Sequence, residues 1–134
     1  MNKKNILVVD DEADIRNLLS IFLKQKGYRV TTASNGNEAL TEASIEKPSL
    51  ILLDILMPGM DGLEICTALK KNPSTARIPI VICSVLAMEE DRAKAYEAGA
   101  ASYLTKPFNL QAVGRVVDDI VKTGGGVGWK PLDP

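Results

Sequence analysis

Apolar residues along this chain fall into two alternating patterns: short unbroken runs and longer stripes of helical period. Residues 5 to 10 (NILVVD) form a continuous apolar run ending in acid, as expected of a strand covered on both faces. From about Glu12 to Gln25, Ile15, Leu18, Leu19, Phe22 and Leu23 stand at i, i+3, i+4, i+7 and i+8, one helical stripe facing a sheet. Lys26-Gly27 stops this helix, because glycine accepts the left-handed backbone that closes helices. A second strand from about Tyr28 to Ala33 leads to Asn35, with Glu38 three residues on. That is a capping-box-like start for a helix carrying Ala39, Leu40 and Ala43. Strand three, Leu50 to Asp54, is again apolar and again ends in acid. A loop with Pro58, Gly59 and Asp61-Gly62 precedes a helix through Leu63, Cys66 and Leu69. Strand four spans Ile78 to Ser84, with Pro79 tolerated near its start. A fourth helix, about Glu89 to Ala98, has few large apolar residues. Strand five, Ala101 to Thr105, runs through Lys106-Pro107 into a last helix with Leu110, Val113, Val116, Val117, Ile120 and Val121 inward.

Five βα units in sequence predict an α/β fold, a doubly wound five-stranded parallel sheet with right-handed crossovers and helices on both faces. Five strands in about 120 residues suit the flavodoxin-like order 2-1-3-4-5. The expected organisation is one domain over residues 1–122 and a Gly-rich C-terminal tail or linker over 123–134, with Trp129 free to dock on the body. The tail's glycines follow a helix rather than a strand, so they make no dinucleotide-type phosphate loop.

Charge and composition narrow the function. With 16 basic and 17 acidic residues and a net charge of −1, no basic field draws the chain to nucleic acid or lipid. The apolar runs are too short to span a bilayer, and Met1-Asn2-Lys3-Lys4 lacks the apolar stretch of a secretory signal, so a cytoplasmic location is expected. Cys66 and Cys83, without Cys-x-x-Cys spacing, read as buried reduced thiols. The absence of histidine removes Ser-His-Asp and Cys-His catalysis and every His-based zinc site.

In a doubly wound sheet, ligands bind at the carboxyl ends of the strands near the switch point. Asp10 and Asp11 end strand one, Asp54 ends strand three, Ser84 strand four and Lys106 strand five. Clustered carboxylates repel one another, and a hard divalent cation such as Mg²⁺ relieves that. Lys106 adds a compact cation and Ser84 a hydroxyl donor, the surroundings phosphoryl transfer requires. Asp54 is then the candidate nucleophile, forming an aspartyl phosphate. Taken singly, each residue has a plainer reading: Asp10 or Asp11 as helix cap, Asp61-Gly62 as turn chemistry, Lys106 as a surface lysine.

In combination, ILVVDDE at 6 to 12, LLDILMPGMDG at 52 to 62, Ser84 after its apolar strand and SYLTKPF at 102 to 108 resemble the receiver family of two-component signalling, from about Lys4 to Lys122. The resemblance implies that Asp11, Asp54 and the backbone carbonyl of Leu56 bind Mg²⁺ (or Mn²⁺) directly, with Asp10 acting through a metal-bound water. It implies phosphorylation of Asp54 by a histidine kinase or a histidine phosphotransfer protein, with Ser84 and Lys106 contacting the phosphoryl oxygens. It implies a cis bond between Lys106 and Pro107. Tyr103 matches the aromatic switch position: the phosphoryl group draws Ser84 inward, Tyr103 fills the space, and the face of helix four, strand five and helix five changes for a downstream protein or output domain. Such a domain catalyses only its own phosphorylation and dephosphorylation, and works as a monomer or a phosphorylation-linked dimer.

Val85 departs from the family pattern, which prefers a small residue after the switch hydroxyl; its branched side chain is expected to crowd the phosphoryl pocket. Leu56 and Leu86 offer no side chain to orient hydrolytic water. Two competing readings fit less well. An aspartate-nucleophile phosphatase resembles a pattern with Asp-x-Asp after strand one, where this chain has Asp10-Asp11-Glu12. A flavin-binding module of this fold wants a Ser/Thr/Gly phosphate loop at the same place, where this chain is acidic.

Overall fold

The computed structural model describes residues 3–86, 88–107 and 109–123, apart from the Met60 side chain. The elements follow in the expected alternation: β1 (Asn5–Val9), α1 (Ala13–Gln25), β2 (Arg29–Ala33), α2 (Gly36–Glu46) and β3 (Leu50–Asp54). After two short strands, β4 (Leu56–Met57) and β5 (Met60–Asp61), come α3 (Gly62–Lys71), β6 (Ile80–Ser84), α4 (Glu89–Glu97), β7 (Ser102–Thr105) and α5 (Leu110–Thr123). The main sheet is parallel in the order β2-β1-β3-β6-β7, which is 2-1-3-4-5 once the small hairpin is set aside.

The two-residue period of a strand sorts its apolar run between two cores. Leu7, Val9, Ile51, Leu53, Ile80 and Ile82 join Ala39, Ala43, Ile65 and Leu69 beneath α2, α3 and α4. Ile6, Val8, Leu50, Leu52, Val81 and Cys83 join Leu19, Leu23, Val113, Val117 and Ile120 beneath α1 and α5. That double coverage is why these strands read as unbroken apolar runs rather than alternating ones.

Four local expectations change. Leu18, placed on the inward stripe of α1, is 46% exposed; the stripe is narrower, with Leu19 and Leu23 buried and Ile15 and Phe22 at its margins. Asn35 does cap α2, accepting from Glu38 N at 2.9 Å. Glu38, however, reaches back to the backbone and hydroxyl of Ser34 rather than to the cap residue itself. The loop after Asp54 contains an antiparallel hairpin, β4 with β5, which turns at Pro58-Gly59 with Gly59 at φ +77°. Thr123, expected to open the tail, closes α5; residues 124–134, and Trp129 with them, lie outside the described residues.

Candidate functional site

Four strands deliver their carboxyl ends to one rim. Asp10 follows β1, its backbone N–H donating to the carbonyl of Ala33, which keeps it in line with the sheet. Asp54 is the last residue of β3, Ser84 the last of β6, and Lys106 follows β7 with its N–H on the Ser84 carbonyl at 2.7 Å. Asp10, Asp54 and Ser84 are buried, while Asp11 and Glu12 face solvent. The Lys106–Pro107 peptide is cis.

The centre of the site is the Lys106 ammonium. Nζ donates to Asp10 Oδ2 at 2.7 Å and to Asp54 Oδ2 at 3.1 Å, with Glu12 Oε1 at 3.9 Å. Asp54 Oδ1 accepts from Leu56 N, and Asp10 Oδ1 from Glu12 N, both at 2.9 Å. Each buried carboxylate therefore has one oxygen on a backbone amide and one on the lysine. Burial still pushes the Asp54 carboxyl above its ordinary value, against the pull of the Leu56 amide and of Lys106. Burial works against charge on Lys106 too, but its hydrogen bond to Asp10 and the two carboxylates outweigh it and raise the ammonium's pKa. Behind the site, burial pushes the Cys83 thiol up to about 12, as expected of an inert core cysteine.

Asp10, Asp11 and Glu12 bring one carboxylate oxygen each within 4.8 Å of one another. With Asp54 bound to the same lysine as Asp10, the donor set is hard oxygen only, which fits Mg²⁺ or Mn²⁺ and not a thiolate- or imidazole-seeking metal. Glu12 was not singled out as a site residue from the sequence, although its adjacency to Asp10-Asp11 was visible. Arg16 was missed altogether: its Nη1 donates to the Asp10 carbonyl at 2.8 Å and braces the start of the acidic loop, a contact six residues apart that no periodicity announces.

Ser84 and Tyr103 meet at one peptide group. Ser84 Oγ accepts from Leu86 N at 3.1 Å, and the Tyr103 hydroxyl donates to the Leu86 carbonyl at 2.7 Å. Tyr103 is only 5% exposed in this conformation. Val85 is 60% exposed and, with Ile15, Leu18, Lys106 and Pro107, lines a cleft of about 400 Å³ beside the lysine. Asp61 is a helix cap, accepting from Leu63 N at 2.9 Å, in keeping with its plainer reading.

The chain is similar to known proteins over most of its length. The family model "Response regulator receiver domain" matches residues 6–118. The chain is 44% identical over 122 residues to the alkaline phosphatase synthesis transcriptional regulatory protein PhoP of Bacillus subtilis, covering 91% of this chain and 50% of that protein. It is 45% identical over 109 residues to the probable transcriptional regulator ycf27 of Cyanophora paradoxa, covering 81% of this chain and 44% of that protein. The chain thus spans about half the length of these curated relatives. Among solved structures, the chemotaxis protein CheY4 of Vibrio cholerae superposes with a TM-score of 0.84 at 30% identity, covering 89% of this chain and 99% of that one. A CheY-like receiver domain protein of Methanospirillum hungatei gives 0.86 at 27% identity, covering 92% and 97%.

Proposed function

Because this chain belongs to the response regulator receiver family, we propose that Asp54 is its phosphoacceptor and that a partner's phosphohistidine is the donor. The observation that carries this reading is the Lys106 ammonium bridging the buried carboxylates of Asp10 and Asp54 at the strand ends. An Asp54 oxygen attacks phosphorus, the phosphorus–nitrogen bond to the donor imidazole breaks, and its electron pair returns to that nitrogen. Asp11, Asp54 and the Leu56 carbonyl would hold Mg²⁺ or Mn²⁺, with Asp10 reaching it through water; when bound, the ion supplies positive charge for the phosphoryl oxygens. Lys106 swings from the carboxylates to a phosphoryl oxygen, and Ser84 gives up Leu86 N to donate to another.

Output follows from the shared peptide at Leu86. When Ser84 turns toward the phosphoryl group, the Leu86 peptide loses one of the two hydrogen bonds described for it, and the α4–β7–α5 face is re-set for a downstream protein or output domain. The apolar cleft beside Lys106 supports a protein donor, which buries such surface on docking. The chain acts on itself rather than turning over an external substrate. No helix among the described residues is long and apolar enough to cross a membrane.

The test is intact mass after incubation with a small phosphodonor and Mg²⁺, beside Asp54→Asn and a metal-free control. One phosphoryl addition that needs both Asp54 and the metal is expected. No addition from a phosphorylated kinase, even to Val85→Ala, would overturn the phosphoacceptor role.

A further inference from the structure

Helix α4 is the weakly anchored helix of this fold. Ala95 is its one fully buried residue, and Tyr96 packs partly against the core. The inward stripe that these two define runs through position 92, at i, i+3 and i+4, where an apolar residue would ordinarily stand. Here it holds Arg92, half-buried, with two attachments to β7. Its guanidinium carbon lies 5.0 Å from the centroid of the Tyr103 ring, and Nη2 donates to Thr105 Oγ1 at 3.0 Å. Thr105 immediately precedes Lys106, and the Tyr103 hydroxyl is tied to Leu86 at the head of the loop leading to α4.

We propose that Arg92 is a positioning residue that carries the place of the Tyr103 ring to α4, so that the aromatic and the helix move as a unit. Its geometry stands alone; its purpose rests on the switch reading above. A cation over a ring face is attracted by the ring's quadrupole, and the attraction strengthens where water is excluded. With so little apolar area holding α4, one such contact and one hydrogen bond are a large share of what fixes its orientation. If the ring leaves its buried position, Arg92 loses the ring contact, and α4 is left with the Thr105 hydrogen bond alone from this residue. An arginine that merely decorated the surface would be indifferent to the ring.

The experiment is amide hydrogen exchange on the full chain in a double-mutant cycle of Arg92→Ala with Tyr103→Leu, without phosphodonor. Arg92→Ala should speed exchange across Glu89–Glu97 by about tenfold and leave α1 and α3 unchanged. In the Tyr103→Leu background the same change should have a clearly smaller effect, that of the Thr105 hydrogen bond alone. In Tyr103→Phe, which keeps the ring and loses only the hydroxyl, the effect of Arg92→Ala should persist, and Arg92→Lys should keep part of the protection. An equal effect of Arg92→Ala in all three backgrounds, or one spread evenly over every helix, would overturn the proposal. Mass shift at Asp54 is read separately, so a failure of phosphorylation refutes the phosphoacceptor reading and leaves the exchange result to decide Arg92.

Discussion

Replacing Lys106 with methionine isolates the interaction at the centre of the site. Methionine keeps an unbranched stem of similar length, so packing changes little while the ammonium disappears. Two carboxylates then remain in a buried pocket: the side chains are 10% exposed for Lys106, 3% for Asp10 and 6% for Asp54, so solvent screens the contacts weakly. Removing one partner of a buried ion pair typically costs about 3–5 kcal/mol, because the other charge is left uncompensated. The backbone amides of Glu12 and Leu56 still serve one oxygen of each carboxylate, so the lower end, about 3 kcal/mol, is expected. In urea that is a midpoint shift of about 1.5 M at unchanged slope, and in a thermal scan a loss of about 10 °C.

The sign with pH is fixed by the two partners. Lys106 has a raised pKa in the fold, so its contribution is complete below the ordinary lysine value and fades as pH rises through the higher folded one. Asp54 is already raised by burial, and losing the lysine raises it further. An acid whose folded pKa is raised favours the fold as pH falls, so the variant's deficit should be full at neutral pH and shrink as pH falls toward the ordinary carboxylate range. Lys106→Met combined with Asp54→Asn should recover much of the loss. A deficit under about 1 kcal/mol, or one independent of pH between acid and neutral, would refute the claim that Lys106 neutralises this pocket.

Three further outcomes are expected. Val85→Ala should take up and lose the phosphoryl group faster than the parent, read by time-resolved intact mass; equal rates would remove Val85 as a barrier. Mg²⁺ at about a hundred times its dissociation constant should add about 2.7 kcal/mol of stability, seen as a higher melting temperature, and Asp11→Asn should abolish the gain. Gly62→Ala should cost about 1–3 kcal/mol in urea denaturation, since its new Cβ would run into the Ile55 Cα and force backbone movement beside Asp54.

Much of the site could be read along the chain because the sheet imposes it. A parallel strand buried on both faces must be apolar throughout, so Asp10, Asp11 and Asp54 announce strand ends, and all strand ends of one direction share a rim. Asp10, Asp54, Ser84 and Lys106 thus stand on one rim by chain direction alone. The hairpin after Asp54 was hidden because its strands are two residues long, too short for any period to register. Leu18 was misassigned because a stripe of five apolar residues does not say how wide a strip the sheet can cover. Glu38 fits a capping box by spacing, but its side chain found the free amide of Ser34 instead.

Periodicity and chain direction were enough for the α/β class and for which acidic and basic groups stand at the functional rim, while the strand order was only the one that five strands in about 120 residues suit. Where the long side chains end is set by tertiary contacts. Lys106 has four rotatable carbons and settles between two carboxylates 96 and 52 residues away in sequence. Arg92 stands where a helical stripe calls for an apolar residue, and its reason is a ring on another element. Tyr103 was legible as an aromatic at a switch position, but its buried seat on Leu86 depends on a loop whose path no local pattern specifies. Local pattern governs backbone and burial; charge, rotamer and cross-element contact are set by neighbours that only folding brings within reach.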